Sequence, residues 1–402
     1  MKNKIAIVGG GPSGLIAADI LSANNFSVTI FDRKPTVGRK FLLAGRGGLN
    51  ITHSEQQDFF VKKYGKNSQV FEKLLDSFSQ NDLRNLCERL GEKTFVGSSG
   101  RVFPKSFKSS PLLRSWLTEL KKQNVNFKLN HDWIGWEQDK LVFSNCGSKY
   151  IVSSDITLLA LGGASWPKLG SDGSWIKILD KENIQISKIQ ASNCGFHIAW
   201  TDIFKQRFSG SPLKTIKLKH KNIQVRGEFI ITREGVEGGI IYTLSSAIRE
   251  SINDFGSAEI IIDLKPDLQI EQIKNILIKA NSKSSLSTLL SKTLKLSNVA
   301  IGLIMELKKK YKGNNFNIQK LAYYIKNYKL ILGKPFPIER SISTAGGVSF
   351  ESIDENFMLS NKKDTYVIGE MLDWDAPTGG YLLQGCISNG AYVAKQIIKN
   401  YS

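Results

Sequence analysis

The chain has 402 residues, of which 41% are hydrophobic and 23% charged, a composition typical of a globular protein with two or three domains. It has no run of 18 apolar residues, its four cysteines form no CxxC pair and its four histidines show no metal-ligand spacing, so we expect no membrane-spanning helix, no dithiol and no metal site. The formal net charge of +19 favours anionic partners such as nucleic acid, although a general enrichment in lysine explains it equally well.

The first 32 residues predict a strand–helix–strand unit. The run "KIAIVGG" (4–10) is β-branched and ends in glycine, "SGLIAADILSANN" (13–25) has helical spacing, and "SVTIFD" (27–32) is the next strand. Two strands joined in this way are expected to lie parallel and adjacent. The apolar run is too short for a signal peptide, and cleavage would remove a glycine motif, so we expect a cytoplasmic protein.

A glycine-rich turn, "GGGPSG" (9–14), joins the first strand to its helix. Its G-x-G-x-x-G spacing permits a tight turn, a close approach of pyrophosphate and close packing of helix on strand. Asp32 ends the next strand, where its carboxylate can accept a hydrogen bond from a ribose hydroxyl. The unit therefore predicts a dinucleotide site, without separating NAD from FAD. The expected contacts are Gly9, Gly11, Pro12, Ser13, Gly14, Asp32 and Arg33.

The rest of the chain predicts an α/β domain with an insertion. A helix over 110–124 is followed by strands over 125–129, 140–144 and 150–163, the last of which returns to the first sheet near residue 156. Residues 195–264 alternate apolar and polar, as antiparallel strands do, and 266–330 have a helical pattern. Residues 366–400 return to strand, glycine-rich loop and helix. We therefore expect an insertion at about 192–335.

Three stretches resemble the HI0933-like flavoproteins. They are "GGGPSGLIAADIL…FDRKPTVGRKFLLAGRGGLNITHSE" near the start, "LALGGASWPKLGSDG" (159–173) and "GEMLDWDAPTGGYLLQGCISNGAYVA" (369–394). The resemblance implies FAD and an α/β fold, in which an FAD-binding Rossmann-type domain is interrupted by an inserted antiparallel β-barrel domain and a small helical subdomain. The expected boundaries are 1–191 with 336–402, 192–265 for the barrel and 266–335 for the helices.

The resemblance also implies further cofactor contacts. Arg39 and Lys40 are expected to neutralise phosphate, while main chain at Gly45, Gly47 and Gly48 lies flat along the ribityl chain and ring. The first N–H groups of the last helix are expected to face the pyrimidine edge of the flavin, where reduction places negative charge. The remaining contacts are Gly162, Gly163, Gly369, Glu370, Gly379, Gly380, Tyr381 and Leu382.

The reductant and the catalytic group are less well defined by the sequence. Leu49 stands where many relatives carry cysteine, and no second G-x-G-x-x-G occurs in residues 60–402. Reduction is therefore expected from NAD(P)H bound transiently at the flavin, from the substrate or from another protein. The polar candidates for substrate contact are Arg46, Asn50, His53 (as a proton donor), Asp373 and Asp375, with Trp374 between the last two.

Three functions stay open. The first is an FAD-dependent oxidoreductase that acts on a small molecule, such as a C=C reductase or an amine oxidase. The second reduces uridine in ribosomal RNA, an activity associated with the family, and uses a basic surface. The third is a flavoprotein that binds RNA or a partner without catalysis. The residues that suit RNA are Lys217, Lys219, Lys221, Lys308, Lys309, Lys310 and Lys312, with Tyr311, Tyr323 and Tyr324 as stacking candidates.

Overall fold

The computed structural model describes residues 2–45, 47–280, 284–310 and 317–401. The chain divides into two compact units, residues 1–191 with 338–402 and residues 192–337. Arg46, the side chain of Lys310, Tyr311 and Lys312, which the sequence analysis singled out, lie outside the described residues. In the part that is described, no helix combines the length and the apolar composition that crossing a membrane requires.

The strands are β1 Lys4–Val8, β2 Ser27–Asp32, β3 Thr52–His53, β4 Thr94–Val96, β5 Arg101–Pro104, β6 Asn126–Leu129, β7 Asp132–Glu137, β8 Lys140–Asn145, β9 Ser148–Val152, β10 Ile156–Leu159, β11 Ile186–Ser192, β12 Phe196–His197, β13 Pro212–His220, β14 Ile223–Ile231, β15 Gly235–Glu237, β16 Ala258–Asp263, β17 Tyr328–Leu332, β18 Ser343–Val348 and β19 Thr365–Val367. The helices are α1 Pro12–Ala23, α2 Arg39–Ala44, α3 Gln57–Val61, α4 Ser68–Ser77, α5 Gln80–Arg89, α6 Ser109–Lys122, α7 Trp175–Lys181, α8 Asp202–Phe208, α9 Gly239–Thr243, α10 Ser245–Phe255, α11 Ile270–Lys279, α12 Leu286–Leu294, α13 Asn298–Lys310, α14 Ile318–Lys326 and α15 Tyr381–Tyr401.

The first unit is built on a parallel sheet in the order β19-β10-β1-β2-β6. In β1, Ile5 pairs with Val28 of β2 on one side and with Ile156 of β10 on the other. The apolar residues of β1 are buried, as expected of a parallel strand with both faces covered. The predicted β1–α1–β2 unit and the return of the chain near residue 156 are confirmed.

Smaller elements surround this sheet. The strands β7, β8 and β9 form an antiparallel meander, and β3, β5 and β4 form a second three-stranded sheet. The helices α3, α4 and α5 precede β4, in a stretch for which the sequence analysis made no assignment. Both longer helices bury apolar residues at i, i+3 and i+4, namely Phe71, Leu74 and Leu75 in α4 and Leu83, Leu86 and Cys87 in α5. The sequence therefore carried a helical signal here that was not used.

The second unit contains an antiparallel sheet in the order β12-β15-β14-β13-β16-β17. The chain just after β17 returns to β12, where His197 N–H donates to Lys334 O at 3.0 Å and Gly333 N–H donates to His197 O at 2.8 Å. These bonds close the sheet, so the inserted antiparallel barrel is confirmed. The expected helical subdomain at 266–335 needs correction, because its described residues form α11 to α14 and then β17, which pairs with β16 of the antiparallel sheet.

Candidate active site

The turn between β1 and α1 is made of backbone, at the carboxyl end of the central sheet. Gly9 has φ +112°, and a Cβ there would lie 2.2 Å from the carbonyl oxygen of Ala160, so only glycine fits beside β10. At Gly11 a Cβ would meet no atom within 4 Å, which leaves this side of the turn open. No side chain of a described residue caps α1, so the first N–H groups of the helix are available to an anion.

Asp32 lies beside this turn, at the end of β2. Its Oδ2 accepts the Gly10 N–H at 3.0 Å and its Oδ1 accepts the Lys34 N–H at 2.8 Å, which leaves each oxygen a second acceptor position. Burial raises the pKa of Asp32 above its ordinary value of 3.8, although the two N–H groups act in the opposite direction. The backbone therefore orients this carboxyl group while leaving it able to accept from a ribose hydroxyl.

A cleft opens beside the turn, at the carboxyl end of the parallel sheet. Its walls come from the β1–α1 turn, the end of β2, α2, the start of β7, the segment after β10 and the segment after β19. Parts of the chain that are far apart in the sequence thus meet at one cavity. The predicted cofactor residues that line it are Gly9, Gly11, Pro12, Ser13, Asp32, Arg33, Arg39, Lys40, Gly162 and Glu370.

Three buried polar atoms of the cleft lining have no hydrogen-bond partner among the described residues, namely Arg39 Nε, Trp133 Nε1 and Ser171 Oγ. A buried donor without an acceptor costs about 1–3 kcal/mol, so such atoms indicate a bound ligand. FAD carries suitable acceptors on its pyrophosphate, its ribose and its adenine ring. The residues present therefore fit FAD.

Trp133 and Ser171 belong to this site although they were not among the predicted cofactor residues. Ser171 belongs to the stretch "LALGGASWPKLGSDG", so its place in a motif near Gly162 was a usable signal. Trp133 is the second residue of β7 and has no such signal. It reaches the cleft because β6, which precedes β7, is the edge strand next to β2.

Lys40 and Glu370 form an ion pair in the cleft lining. Lys40 Nζ lies 2.7 Å and 3.0 Å from the two carboxylate oxygens of Glu370, and it donates to Ser165 Oγ at 2.7 Å. Glu370 also accepts the Thr344 N–H at 3.1 Å, and its side chain is only 9% exposed. The charge of Lys40 is thus paired with a carboxylate, instead of being left for the phosphate that the sequence analysis assigned to it. Arg39 keeps an unpartnered Nε.

Gly380, the residue just before α15, packs against β3. A Cβ at Gly380 would lie 2.5 Å from Thr52 Cα, and the Tyr381 hydroxyl donates to Glu55 Oε1 at 2.5 Å. The protein itself therefore satisfies the Tyr381 side chain. The predicted cofactor residues outside the cleft lining are Gly14, Gly45, Gly47, Gly48, Gly163, Gly369, Gly379, Gly380, Tyr381 and Leu382.

The first turn of α1 contacts the middle of α15. A Cβ at Gly390 would lie 2.4 Å from the carbonyl oxygen of Ser13, and one at Gly369 would lie 2.2 Å from Ser13 Oγ. Tyr381 begins α15 nine residues before Gly390, which is about 13 Å along a helix axis. The start of α15 is therefore offset from the start of α1. This spacing suits two sets of backbone N–H groups that hold opposite ends of an extended molecule.

Two of the candidates for substrate contact, His53 and Asn50, are held by the backbone. His53 Nδ1 accepts the Glu55 N–H at 3.1 Å, and this places the ring proton on Nε2, which lies 3.0 Å from Ser99 O. The amide nitrogen of Asn50 donates to two carbonyls, at 2.7 Å and 3.0 Å. The structure thus leaves His53 no free ring nitrogen for the predicted proton donation. Asn50 Oδ1 is buried without a partner among the described residues.

The acidic candidates near α15 also have partners within the protein. Asp373 Oδ2 accepts from Lys66 Nζ and from Ser187 Oγ, each at 2.9 Å. Asp375 Oδ1 accepts the N–H of the next residue at 2.9 Å. Trp374 is buried and donates to Gly369 O at 2.8 Å. These contacts organise the loop that precedes α15, and Arg46, the remaining candidate, lies outside the described residues.

Comparison with known proteins covers almost the whole chain. The family model described as "HI0933-like protein Rossmann domain" matches residues 3–396. The 3-dehydro-bile acid delta(4,6)-reductase of Clostridium scindens is 23% identical over 413 residues, covering 96% of this chain and 97% of that protein. The ribosomal RNA dihydrouridine synthase of Haemophilus influenzae is 23% identical over 414 residues, covering 97% of each.

Solved structures share the fold. The 3-ketosteroid delta1-dehydrogenase from Sterolibacterium denitrificans matches with a TM-score of 0.53 at 12% identity, covering 99% of this chain and 100% of that one. A flavocytochrome c3 fumarate reductase matches with a TM-score of 0.53 at 14% identity, covering 99% of this chain and 78% of that one. At these identities the likeness concerns the architecture alone.

Proposed function

The chain belongs to the HI0933-like family and is an FAD-dependent oxidoreductase, and from that premise we propose that it reduces a carbon–carbon double bond conjugated to a carbonyl group. One observation carries the proposal. The names of the two whole-length relatives describe the same bond change, at the double bonds of a 3-oxo bile acid and at the C5=C6 bond of uridine. In both substrates a carbonyl polarises the double bond, so one carbon accepts a hydride and its neighbour accepts a proton.

Each half of this reaction needs a different contribution. Reduced FAD, when bound, supplies the hydride. The open turn at Gly11, the oriented carboxylate of Asp32 and the unpartnered Arg39 Nε bind and orient the cofactor. The second helix start is that of α15, which lies about 13 Å along the helix axis from the contact with α1. Its first amide groups carry the positive end of the α15 dipole. The proton donor is not assigned, because His53 uses both ring nitrogens.

The reductant in this proposal is NADH or NADPH, bound transiently at the flavin. The chain has no second G-x-G-x-x-G after the first turn, so a separate nicotinamide domain of that type is not part of the proposal. The cytoplasmic location expected from the sequence is kept, and the exposed free thiol of Cys146 is compatible with a reducing compartment. The third alternative, a flavoprotein without catalysis, is set aside because the family members compared are enzymes.

The proposal is tested with the purified holoenzyme under anaerobic conditions. NADH and NADPH are each added and bleaching of the flavin absorbance is followed. Reoxidation is then measured with a steroid enone, with the matching saturated ketone as control. We expect the enone alone to restore the oxidised spectrum and to gain two hydrogens by mass spectrometry. Reoxidation by oxygen only, across a panel of enones and a uridine-containing RNA, would contradict the proposal.

A second candidate makes uridine in ribosomal RNA the substrate, and the barrel face of β13 favours it. Along this strand Ile216, Leu218 and His220 are buried, while Lys217 and Lys219 are exposed. Their directly opposite neighbours on β14 are polar as well, because Lys217 pairs with Arg226 and Lys219 with Gln224. The described residues offer neither lysine an ion pair, so both charges are available to phosphates.

This second candidate predicts RNA binding that depends on salt. The variant Lys217→Glu/Lys219→Glu is compared with Lys121→Glu/Lys122→Glu, which makes the same charge change on exposed positions of α6. We expect only the β13 variant to weaken binding of a ribosomal RNA fragment, and to lower the slope of log K against log salt by about 1 per lost phosphate contact. Equal effects of the two variants would show that the net charge alone is responsible.

A further inference from the structure

Three loops are tied together by one arginine at the end of the cleft that holds Asp32. Arg33 Nη2 lies 3.2 Å from Asp132 Oδ2, at the start of β7, and Arg33 Nη1 lies 2.5 Å from Asp172 Oδ2, in the loop before α7. The Arg33 side chain is 25% exposed, so the guanidinium is partly shielded from water. A planar guanidinium can hold two carboxylates at once in a fixed geometry.

Each of these aspartates is next in sequence to an unpartnered donor of the cleft. Trp133 follows Asp132 and is 4% exposed, and Ser171 precedes Asp172 and is 7% exposed. Both residues line the cleft, and neither Trp133 Nε1 nor Ser171 Oγ has a partner among the described residues. Since burying such donors unpaired is costly, the bridge holds in place two groups whose acceptors come from outside the chain.

The position of these groups indicates which part of the cofactor they meet. Asp32 is the residue expected to accept from a ribose hydroxyl, and Arg33 follows it directly. The backbone N–H of His131, just before Asp132, donates to Asp32 O at 2.9 Å. On the other side, a Cβ at Gly170 would lie 3.2 Å from Lys34 Cγ. Both loops thus lie against the segment that carries the ribose-binding carboxylate.

We propose that Trp133 and Ser171 bind the adenosine monophosphate half of FAD, with Arg33 as the positioning residue that holds both loops against it. The indole N–H donates to an acceptor on that half, and the serine hydroxyl donates to a second. Arg33 itself acts through Asp132 and Asp172 and does not need to touch the cofactor. The inference rests on FAD as the cofactor and not on the substrate, so its failure would leave the proposed reduction untouched.

The test measures cofactor affinity in the full-length protein after removal of FAD. Trp133→Phe keeps the aromatic ring and deletes only the N–H, and Ser171→Ala deletes only the hydroxyl. The matched control is Trp136→Phe, since Trp136 packs edge-on against Trp133 at 4.7 Å and is not among the residues lining the cleft. Binding of FAD is titrated by flavin fluorescence, and binding of ADP, which presents the adenosine half alone, by calorimetry.

We expect Trp133→Phe and Ser171→Ala each to weaken FAD and ADP binding about 2- to 10-fold, the range of one net hydrogen bond, with Trp136→Phe unchanged. The Arg33→Met variant is expected to release FAD faster from the holoenzyme. In the double variant Arg33→Met/Trp133→Phe, the loss of FAD-binding free energy should be smaller than the sum of the losses in the two single variants. The reason is that Arg33 contributes partly by positioning Trp133 through Asp132. FAD and ADP affinities within twofold of the unmodified chain for both Trp133→Phe and Ser171→Ala would overturn the proposal.

Discussion

Replacing Gly380 by alanine is predicted to destabilise the first unit through one contact with β3. Gly380 has φ +93°, and its Cβ would lie 2.5 Å, 2.6 Å and 2.7 Å from Thr52 Cα, C and N. All three atoms belong to the backbone of a fully buried residue, so no side chain can rotate away. The added methyl group must therefore move β3 or the start of α15.

The magnitude follows from two contributions. An L-residue with a left-handed backbone costs about 1–2 kcal/mol, and forcing an extra carbon into a packed site costs about 1–3 kcal/mol. We therefore expect Gly380→Ala to lower the free energy of unfolding by about 2–5 kcal/mol. The Gly91→Ala variant separates the backbone contribution from the packing contribution, because Gly91 has φ +84° and no atom lies within 4 Å of the Cβ that would be added. Its expected loss is the backbone contribution alone.

Tryptophan fluorescence during urea unfolding is a suitable assay, since six of the seven tryptophans lie in residues 1–191 and 338–402 and only Trp200 lies in the second unit. A fluorescence transition thus reports chiefly on the unit that contains the substitution. Gly380→Ala should unfold at lower urea than Gly91→Ala, with the slope of the transition unchanged. Equal midpoints for the two variants would refute the packing argument, because the backbone conformation alone would then explain both losses.

Three further outcomes are expected. Burial acts to raise the pKa of Asp172, but hydrogen bonds from Ser174 and the neighbouring guanidinium bring it below 3.8. The Asp172→Asn variant should therefore have a lower free energy of unfolding than the unmodified chain in urea at pH 7. The difference in unfolding free energy between the two should shrink as the pH falls below 3.8. Trp374→Phe should lower the free energy of unfolding by about 1–3 kcal/mol, since a buried carbonyl loses its donor at 2.8 Å. Burial raises the pKa of the Cys386 thiol to about 12, so iodoacetamide at pH 8 should label the exposed Cys146 in the folded protein and reach Cys386 only after unfolding.

The parts of the fold that the sequence predicted are those with local causes. The turn at Gly9 and the acid at Asp32 are fixed by a strand, a helix and a strand that follow one another within 32 residues. The antiparallel sheet of the second unit could be predicted because apolar and polar residues alternate along β13, and the apolar ones are those that the structure buries. By contrast, β17 is five residues long and directly follows a helix, so its role in closing the barrel depends on partners far away in the chain.

The charges of the site were harder to predict because their partners are remote. Lys40 and Glu370 are 330 positions apart and meet only because β19 joins the sheet beside β10. A lysine in a glycine-rich stretch is equally suited to a phosphate or to a carboxylate, and residue type alone cannot decide between them. The same holds for Asp373, whose partners Lys66 and Ser187 come from two distant segments.

The glycines of the C-terminal stretch show why a strong motif can mark architecture as much as ligand contact. Gly390 allows the backbone of α15 to approach that of Ser13, Gly369 leaves room for the Ser13 hydroxyl, and Gly380 allows a close approach to the backbone of Thr52. A side chain at Gly390 would push α15 away from α1, and one at Gly380 would push the start of α15 away from β3. Since Ser13 lies in the phosphate turn, this close packing fixes where α15 stands relative to the cleft. The motif therefore acts on the cofactor site through the placement of a helix, and substitutions within it should disturb stability and FAD binding together.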